Sequence, residues 1–161
     1  MRDFFFLLIG LAFIGGCIYL FLQKPVPARY LVGLETGFPS QEFPSQLKID
    51  GAIINIEIAD TDEERNRGLS GRESLSESSG MLFTFDKPGL HGIWMKDMKF
   101  PIDIAWIDAQ KTVIGVEKNV SPDTFPQVFY PPSDALYVLE VSAGTFEKNH
   151  IDIGETVYST D

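Results

Sequence analysis

The sequence predicts a mainly β fold, α+β at most. The expected form is a compact curved-sheet or β-barrel-like domain with one or two short helices, preceded by one N-terminal transmembrane helix. Three observations predict it. Phe4 to Leu22 is a run of 19 residues with no charge and no proline. Beyond Ser45, short runs of β-branched and aromatic residues follow one another at close spacing. Helix-start signals are few, and many close strands with few helices indicate a barrel or curved sheet.

The apolar run is long enough as a helix, at about 1.5 Å per residue, to cross a hydrocarbon layer of about 30 Å. Three readings of residues 1–22 compete. The first is an uncleaved signal-anchor. The second is a signal peptide cut after Ala28, where Val26 to Ala28 supplies small residues. The third is a lipoprotein signal, because Ile14 to Cys17 resembles a lipobox. The apolar stretch after Cys17 is unlike the polar tether of a lipidated cysteine. The anchor reading is preferred, with the N-terminus inside and the globular domain extracytoplasmic, periplasmic or at the cell surface. Residues 23–45 read as a tether, with Pro25, Pro27, Pro39 and Pro44 and no sustained periodicity.

Residues 46–161 form the expected β-rich domain. Ile54, Ile56 and Ile58 alternate with Ile53, Asn55 and Glu57, which predicts a strand with one wet face. Thr61 and Glu64 have the spacing of a capping box, and Gly68 closes the short helix they open. Gly80 to Phe85 reads as a strand ended by a turn at 86–89. Ile93 to Met98 reads as extended. Ile102 to Ile107 is apolar on nearly both faces and therefore central. Val113 to Val116 returns from it as a hairpin. Ser121 to Ser133 is a long loop with four prolines. Ala135 to Val141 is a further strand, Gly144 to Asn149 about one helical turn, and Glu155 to Tyr158 a last strand.

Charge narrows the function classes. Residues 30–161 carry 10 basic and 22 acidic side chains, a net charge of −12. Such a surface repels phosphate backbones, so no nucleic-acid partner is expected. Cys17, inside the apolar run, is the only cysteine. The globular part therefore has no disulfide, no cysteine nucleophile and no CxxC zinc motif. Neither HExxH nor an aspartate-rich calcium loop is present, and no cofactor is predicted.

The ordered string of motifs carries a resemblance. Glu64 and Arg65, Gly68 and Leu69, Arg72, Leu75, Gly80 to Phe83 and Phe85 form one block. Trp94 to Asp97 and Pro101 to Ile104 form a second. Leu139 to Val141, Gly144, Ile153, Gly154 and Val157 complete it. From about Leu47 to Tyr158 the chain resembles the domain-of-unknown-function family 192, an often membrane-anchored or exported prokaryotic family. The resemblance implies a compact β-rich fold and no established reaction or ligand. The family pattern is mostly Asn where this chain has Asp97, a departure that adds charge.

The chemistry is therefore sought in the residues. His91 to Asp103 concentrates functional groups, and with Arg72 gives the candidate ligand-binding set His91, Trp94, Met95, Lys96, Asp97 and Asp103. Trp94 would supply an apolar wall, Arg72 and Lys96 would pair with ligand anions, and Asp97 or Asp103 would accept hydrogen bonds. Asp103 sits in the most apolar strand, where a carboxylate needs a partner, and Arg65, Arg67 and Arg72 are the candidates. The expected role is a non-catalytic module binding an unknown small ligand or envelope protein. Two alternatives use the same segment. Asp97 and Asp103 would be the carboxylate pair of an envelope-carbohydrate hydrolase. His91 and Met95 would be the ligands of a copper-handling accessory protein, although no metal is predicted.

Overall fold

The computed structural model describes residues 45–160. The predicted anchor at 4–22 and nearly all of the tether lie outside the described residues. Among the described residues, no helix is long and apolar enough to cross a membrane. The described residues are mainly β, with a curled half-barrel sheet and two short helices.

The elements in chain order are β1 (Gln46–Ile49), β2 (Ala52–Ala59), α1 (Asp62–Arg67), β3 (Ser79–Gly89), β4 (Ile93–Trp94) and β5 (Ile102–Ile107). There follow β6 (Val113–Val120), a 3-10 turn (Pro122–Thr124), β7 (Val128–Phe129), β8 (Ala135–Ser142), α2 (Thr145–Lys148) and β9 (Val157–Ser159). Seven strands form one sheet in the order β6-β5-β8-β3-β2-β1-β9, and β4 with β7 makes a separate two-stranded ribbon. The pairing is antiparallel except between β2 and β3. The two edges of the large sheet curl toward each other. A bridge joins Thr112 to Thr156, and the Val113 and Val157 amides donate across the gap to Glu155 and Lys111 carbonyls.

Burial explains the order of the strands. Every residue of β5 is buried, and β8 is buried from Ala135 to Val141, so both must lie inside the sheet with a core on each face. On one face Ile54, Ile56, Leu82, Ala105, Leu139 and Phe146 pack together. On the other, Met81, Phe83, Met95, Ile104, Trp106 and Val138 form a second core. In β2, Ile54 and Ile56 are buried and Ile53, Asn55 and Glu57 exposed, as the alternation predicts. Burying an aliphatic side chain contributes about 1.5–3 kcal/mol relative to exposure. A one-residue slip would expose a whole row of them.

Local signals end the helices where expected. The Thr61 side chain accepts from the Glu64 amide, and the Glu64 side chain accepts from the Thr61 amide, which completes the capping box. Gly68, at φ 49°, stops α1.

Gln46–Ile49, for which the sequence carries no separate strand signal, is a strand because β1 fits between β2 and β9. Two local expectations give way to tertiary contacts. β3 runs on to Gly89 through the predicted turn, with a register shift between Thr84 and Gly89. The extended stretch from Ile93 ends at Trp94, and Asp97 turns the chain at φ 56°. Asp and Asn both adopt this left-handed conformation readily, so the position keeps its backbone role with the residue found here.

Asp103 is fully buried. Its Oδ1 accepts the Asn119 amide at 2.8 Å and its Oδ2 accepts the Phe146 amide at 2.9 Å. The expected arginine partners are not used, because two backbone N–H groups already satisfy the carboxylate. An Asp103→Asn substitution places an NH2 group against one of those donors. It should lower the unfolding free energy by about 2 kcal/mol or more, measured by urea denaturation. A loss below about 0.5 kcal/mol would mean that the two bonds contribute little.

Candidate functional site

A cleft of about 280 Å³ opens over the second core, between α1, β3 and β4. This size is near the lower end of ligand pockets, about 300–1,000 Å³. Leu69, Phe83, Phe85, Ile93 and Trp94 make its apolar walls. Arg65, Arg67 and Ser70 line it from α1 and the following loop, and Glu140 of β8 lines it from the sheet.

The walls are held by specific contacts. The indole N–H of the buried Trp106 donates to the His91 carbonyl at 2.8 Å and fixes the entry to β4. A Cβ on Gly92 would lie 2.6 Å from Tyr130 and Val128 side-chain carbons, so only glycine lets β4 approach β7 this closely. Trp94 then emerges half exposed, at 51%, with the Phe125 ring set edge-on against it at 6.4 Å. On the other side, Ser70 Oγ donates to the Lys96 carbonyl and the Gly71 amide to the Asp97 carbonyl, both at 2.8 Å. These two bonds tie the loop after α1 to the loop after β4.

The cations of the cleft differ in availability. Arg65 is occupied. Its Nη1 donates to the carbonyls of Asp60 and Thr84, its Nη2 pairs with Asp62, and the guanidinium lies 5.3 Å from the centre of the Phe85 ring. Arg67 is exposed, and among the described residues no carboxylate pairs with it.

Glu140 is the most unusual group. It is 5% exposed, and among the described residues nothing donates to its carboxyl group. Burial pushes its pKa up to about 8. At neutral pH it is therefore mainly a carboxylic acid, able to donate a hydrogen bond into the cleft.

The residues singled out from the sequence are not gathered into one site. Trp94 lines the cleft, but Arg72 makes a two-pronged ion pair with Glu57 at 2.6 and 2.8 Å. Hydrogen bonds from Arg72 hold the Glu57 carboxyl below the usual range. Lys96 and Asp97 are exposed in the turn after β4. Asp103, enclosed and bound to two amides, does not share a cleft with Asp97. Met95 is buried in the second core, and the His91 ring lies flat on Phe85 at 3.5 Å. Among the described residues, no group of three or more His, Cys, Asp or Glu could hold a metal ion.

Arg67 and Glu140 line the cleft outside the candidate set expected from the sequence. There Arg67 is only a possible partner for Asp103. Glu140 carries the same signal as Asp103, a carboxylate within an apolar strand, but the sequence places it only in a motif.

Residues 45–159 match the family model DUF192, described as an uncharacterized ACR. The chain belongs to this family. No match to a curated protein accompanies it. Two solved structures share the DUF192 domain's fold. One is a proposed transcription regulator from Sinorhizobium meliloti 1021, with a TM-score of 0.67 and 24% identity over 73% of this chain and 95% of that one. The other is a protein of unknown function from Novosphingobium aromaticivorans, with a TM-score of 0.68 and 24% identity over 76% of this chain and 90% of that one. At this identity the likeness shows the fold.

The raised pKa of Glu140 has a consequence for stability. The folded state holds this proton up to about pH 8, whereas an unfolded glutamate releases it near 4.5. Between those values the native state binds more protons, so the Glu140 contribution falls as pH rises, by at most about 1.4 kcal/mol per pH unit. Glu140→Gln should remove this downward slope and be the more stable protein at pH 8. Denaturation curves of both proteins at pH 5 and pH 8 check this, and equal slopes would contradict it.

Proposed function

We propose that this chain is a membrane-anchored, extracytoplasmic ligand-binding module of the DUF192 family, with the cleft over Glu140 as its binding site. One observation carries the reading. A nearly buried carboxyl group with no partner among the described residues lines an apolar cleft and meets solvent only there, so a ligand in the cleft takes the place of that solvent in its hydrogen bonding. The exposed Trp94 ring beside it offers a flat surface for a ligand. The apolar run at 4–22 supports the anchor, and the strongly acidic domain suits a soluble display site rather than a nucleic-acid surface.

A thermal-shift panel of small anions, saccharides and amines tests the site. A ligand that binds only the folded state, at 100 times its Kd, adds about 2.7 kcal/mol of stability. Trp94→Ala should reduce the shift at least tenfold in ligand affinity and leave the fold intact. A shift unaltered by both Trp94→Ala and Glu140→Gln would place the ligand elsewhere and sink the reading. For the address, alkaline phosphatase fused after residue 161 should be active in a bacterial host, and an inactive fusion would oppose export.

Asp62 lines the same cleft as Glu140, which favours a second reading: hydrolysis of a carbohydrate by two carboxyl groups. In that case Asp62→Asn and Glu140→Gln should each abolish turnover of an envelope glycan without loss of folding.

A further inference from the structure

We infer that the outer face of the β4–β7 ribbon rests on the surface of the bilayer that holds the anchor, with Trp94, Phe125 and Tyr130 set among zwitterionic headgroups. The inference rests on the membrane-anchor reading above and is independent of what the cleft binds.

The register of the ribbon gathers the rings. Ile93 pairs with Phe129 and Trp94 with Val128. Ile93 is buried and Phe129 packs against the second core, so this pair faces inward. Successive strand residues alternate, so Trp94 and Val128 face outward. A Cβ on Gly92 would meet the side chains of both Val128 and Tyr130, which puts the Tyr130 ring on the same outer face. The Phe125 ring stands edge-on to Trp94, and Leu90 leads into β4. Leu90, Trp94, Phe125 and Tyr130 are each about half exposed, and among the described residues they are four of the seven large hydrophobic side chains so exposed. Exposed apolar surface is thus concentrated on this ribbon and its flanks, the mark of a contact site rather than of scattered surface residues.

Area, tethering and chemistry choose the occupant. Half-exposed rings offer on the order of 100 Å² each, so the four side chains give about 400 Å². A stable protein interface takes about 800 Å² from each partner. A smaller contact suffices for a domain that is already held at the surface. The apolar run ends at Leu22 and the described domain begins at Ser45. The residues between them span at most about 80 Å by covalent geometry. The ribbon therefore meets the bilayer in an intramolecular encounter, in which a contact too weak for a free domain is populated. Trp and Tyr join an apolar ring to a polar tip and collect at the membrane–water interface. Lys87 and Lys96 are exposed on the same segments without a carboxylate partner among the described residues, free to reach headgroup phosphates. Asp86, Asp97, Asp123 and Asp134 are exposed there too, and residues 30–161 carry a net charge of −12. This balance repels an anionic bilayer and leaves a zwitterionic one as the match.

Fluorescence of the full-length chain in phosphatidylcholine vesicles tests the inference. The chain has two tryptophans, and the buried Trp106 serves as the internal reference. The emission lost in Trp94→Phe is that of Trp94. Lipid brominated near its headgroup should quench this share about twofold or more and leave Trp106 nearly unchanged. Phe125→Ser combined with Tyr130→Ser should restore about half of the lost emission. Replacing part of the lipid with anionic phosphatidylglycerol should also restore it. Trp94 emission equal in brominated and ordinary vesicles overturns the inference, and so does quenching that the double variant leaves unchanged. If Trp94 escapes bromine yet is shielded from aqueous iodide, a protein surface covers the ribbon instead, which likewise overturns it. If the double variant fails to fold, the bromine and iodide comparison on the wild type still decides. A chain that does not float with the vesicles defeats the anchor reading and this inference together. A chain that floats with Trp94 unquenched defeats this inference alone.

Discussion

The two backbone N–H groups that end on Asp103 hold together the parts of the fold that are distant in sequence. Oδ1 takes the Asn119 amide near the end of β6, and Oδ2 takes the Phe146 amide at the start of α2. Asn119 has a positive φ of 56°, and the β5–β6 register shifts between Ile102 and Ile104. The carboxylate therefore receives an amide at the irregular point of the ladder and another from the short helix after β8. Two charge-assisted bonds offset the cost of enclosing the charge. With β5 held in this way, β5 and β8 can occupy the centre of the sheet and bury side chains on both faces.

A sheet buried on both faces must be covered on both, and here the second cover is thin. It consists of the six-residue helix α1, the loops around it and the β4–β7 ribbon. These pieces are joined by individual hydrogen bonds to carbonyls, from Trp106, Ser70 and Gly71. A cleft forms where the cover does not close, and the strand residue beneath it is Glu140. The apolar walls are simply the exposed margin of the second core. What sets this margin apart is a carboxyl group that no described residue completes.

Asp103 and Glu140 thus make an instructive pair. Both are acidic residues in fully apolar strands, and both are buried. Asp103 faces the core into which α2 delivers an amide. Glu140 lies on the other side of the sheet, opposite Met81 and Ile104, where no donor arrives from the described residues. A carboxylate with two amide donors is part of the framework, whereas burial without such donors keeps Glu140 mainly in its protonated form at neutral pH.

The strands themselves were legible in the sequence wherever one physical rule dominated. Alternation placed the wet and dry faces of β2. Unbroken apolarity placed β5 at the centre and marked β8 as a further strand. The capping box and Gly68 delimited α1, since those contacts lie within one helical turn. The ordered motifs from Glu64 to Val157 were enough to indicate the family. The tertiary structure alone decided which buried acid meets a donor, because the amides concerned lie 16 and 43 residues from Asp103. It also drew Arg72 away to Glu57, brought Arg67 and Trp94 into one cleft, and made a strand of Gln46–Ile49 by offering it two neighbours. Local pattern determines which way a side chain can point. Whether that side chain is completed or left available depends on atoms that only the folded chain brings near.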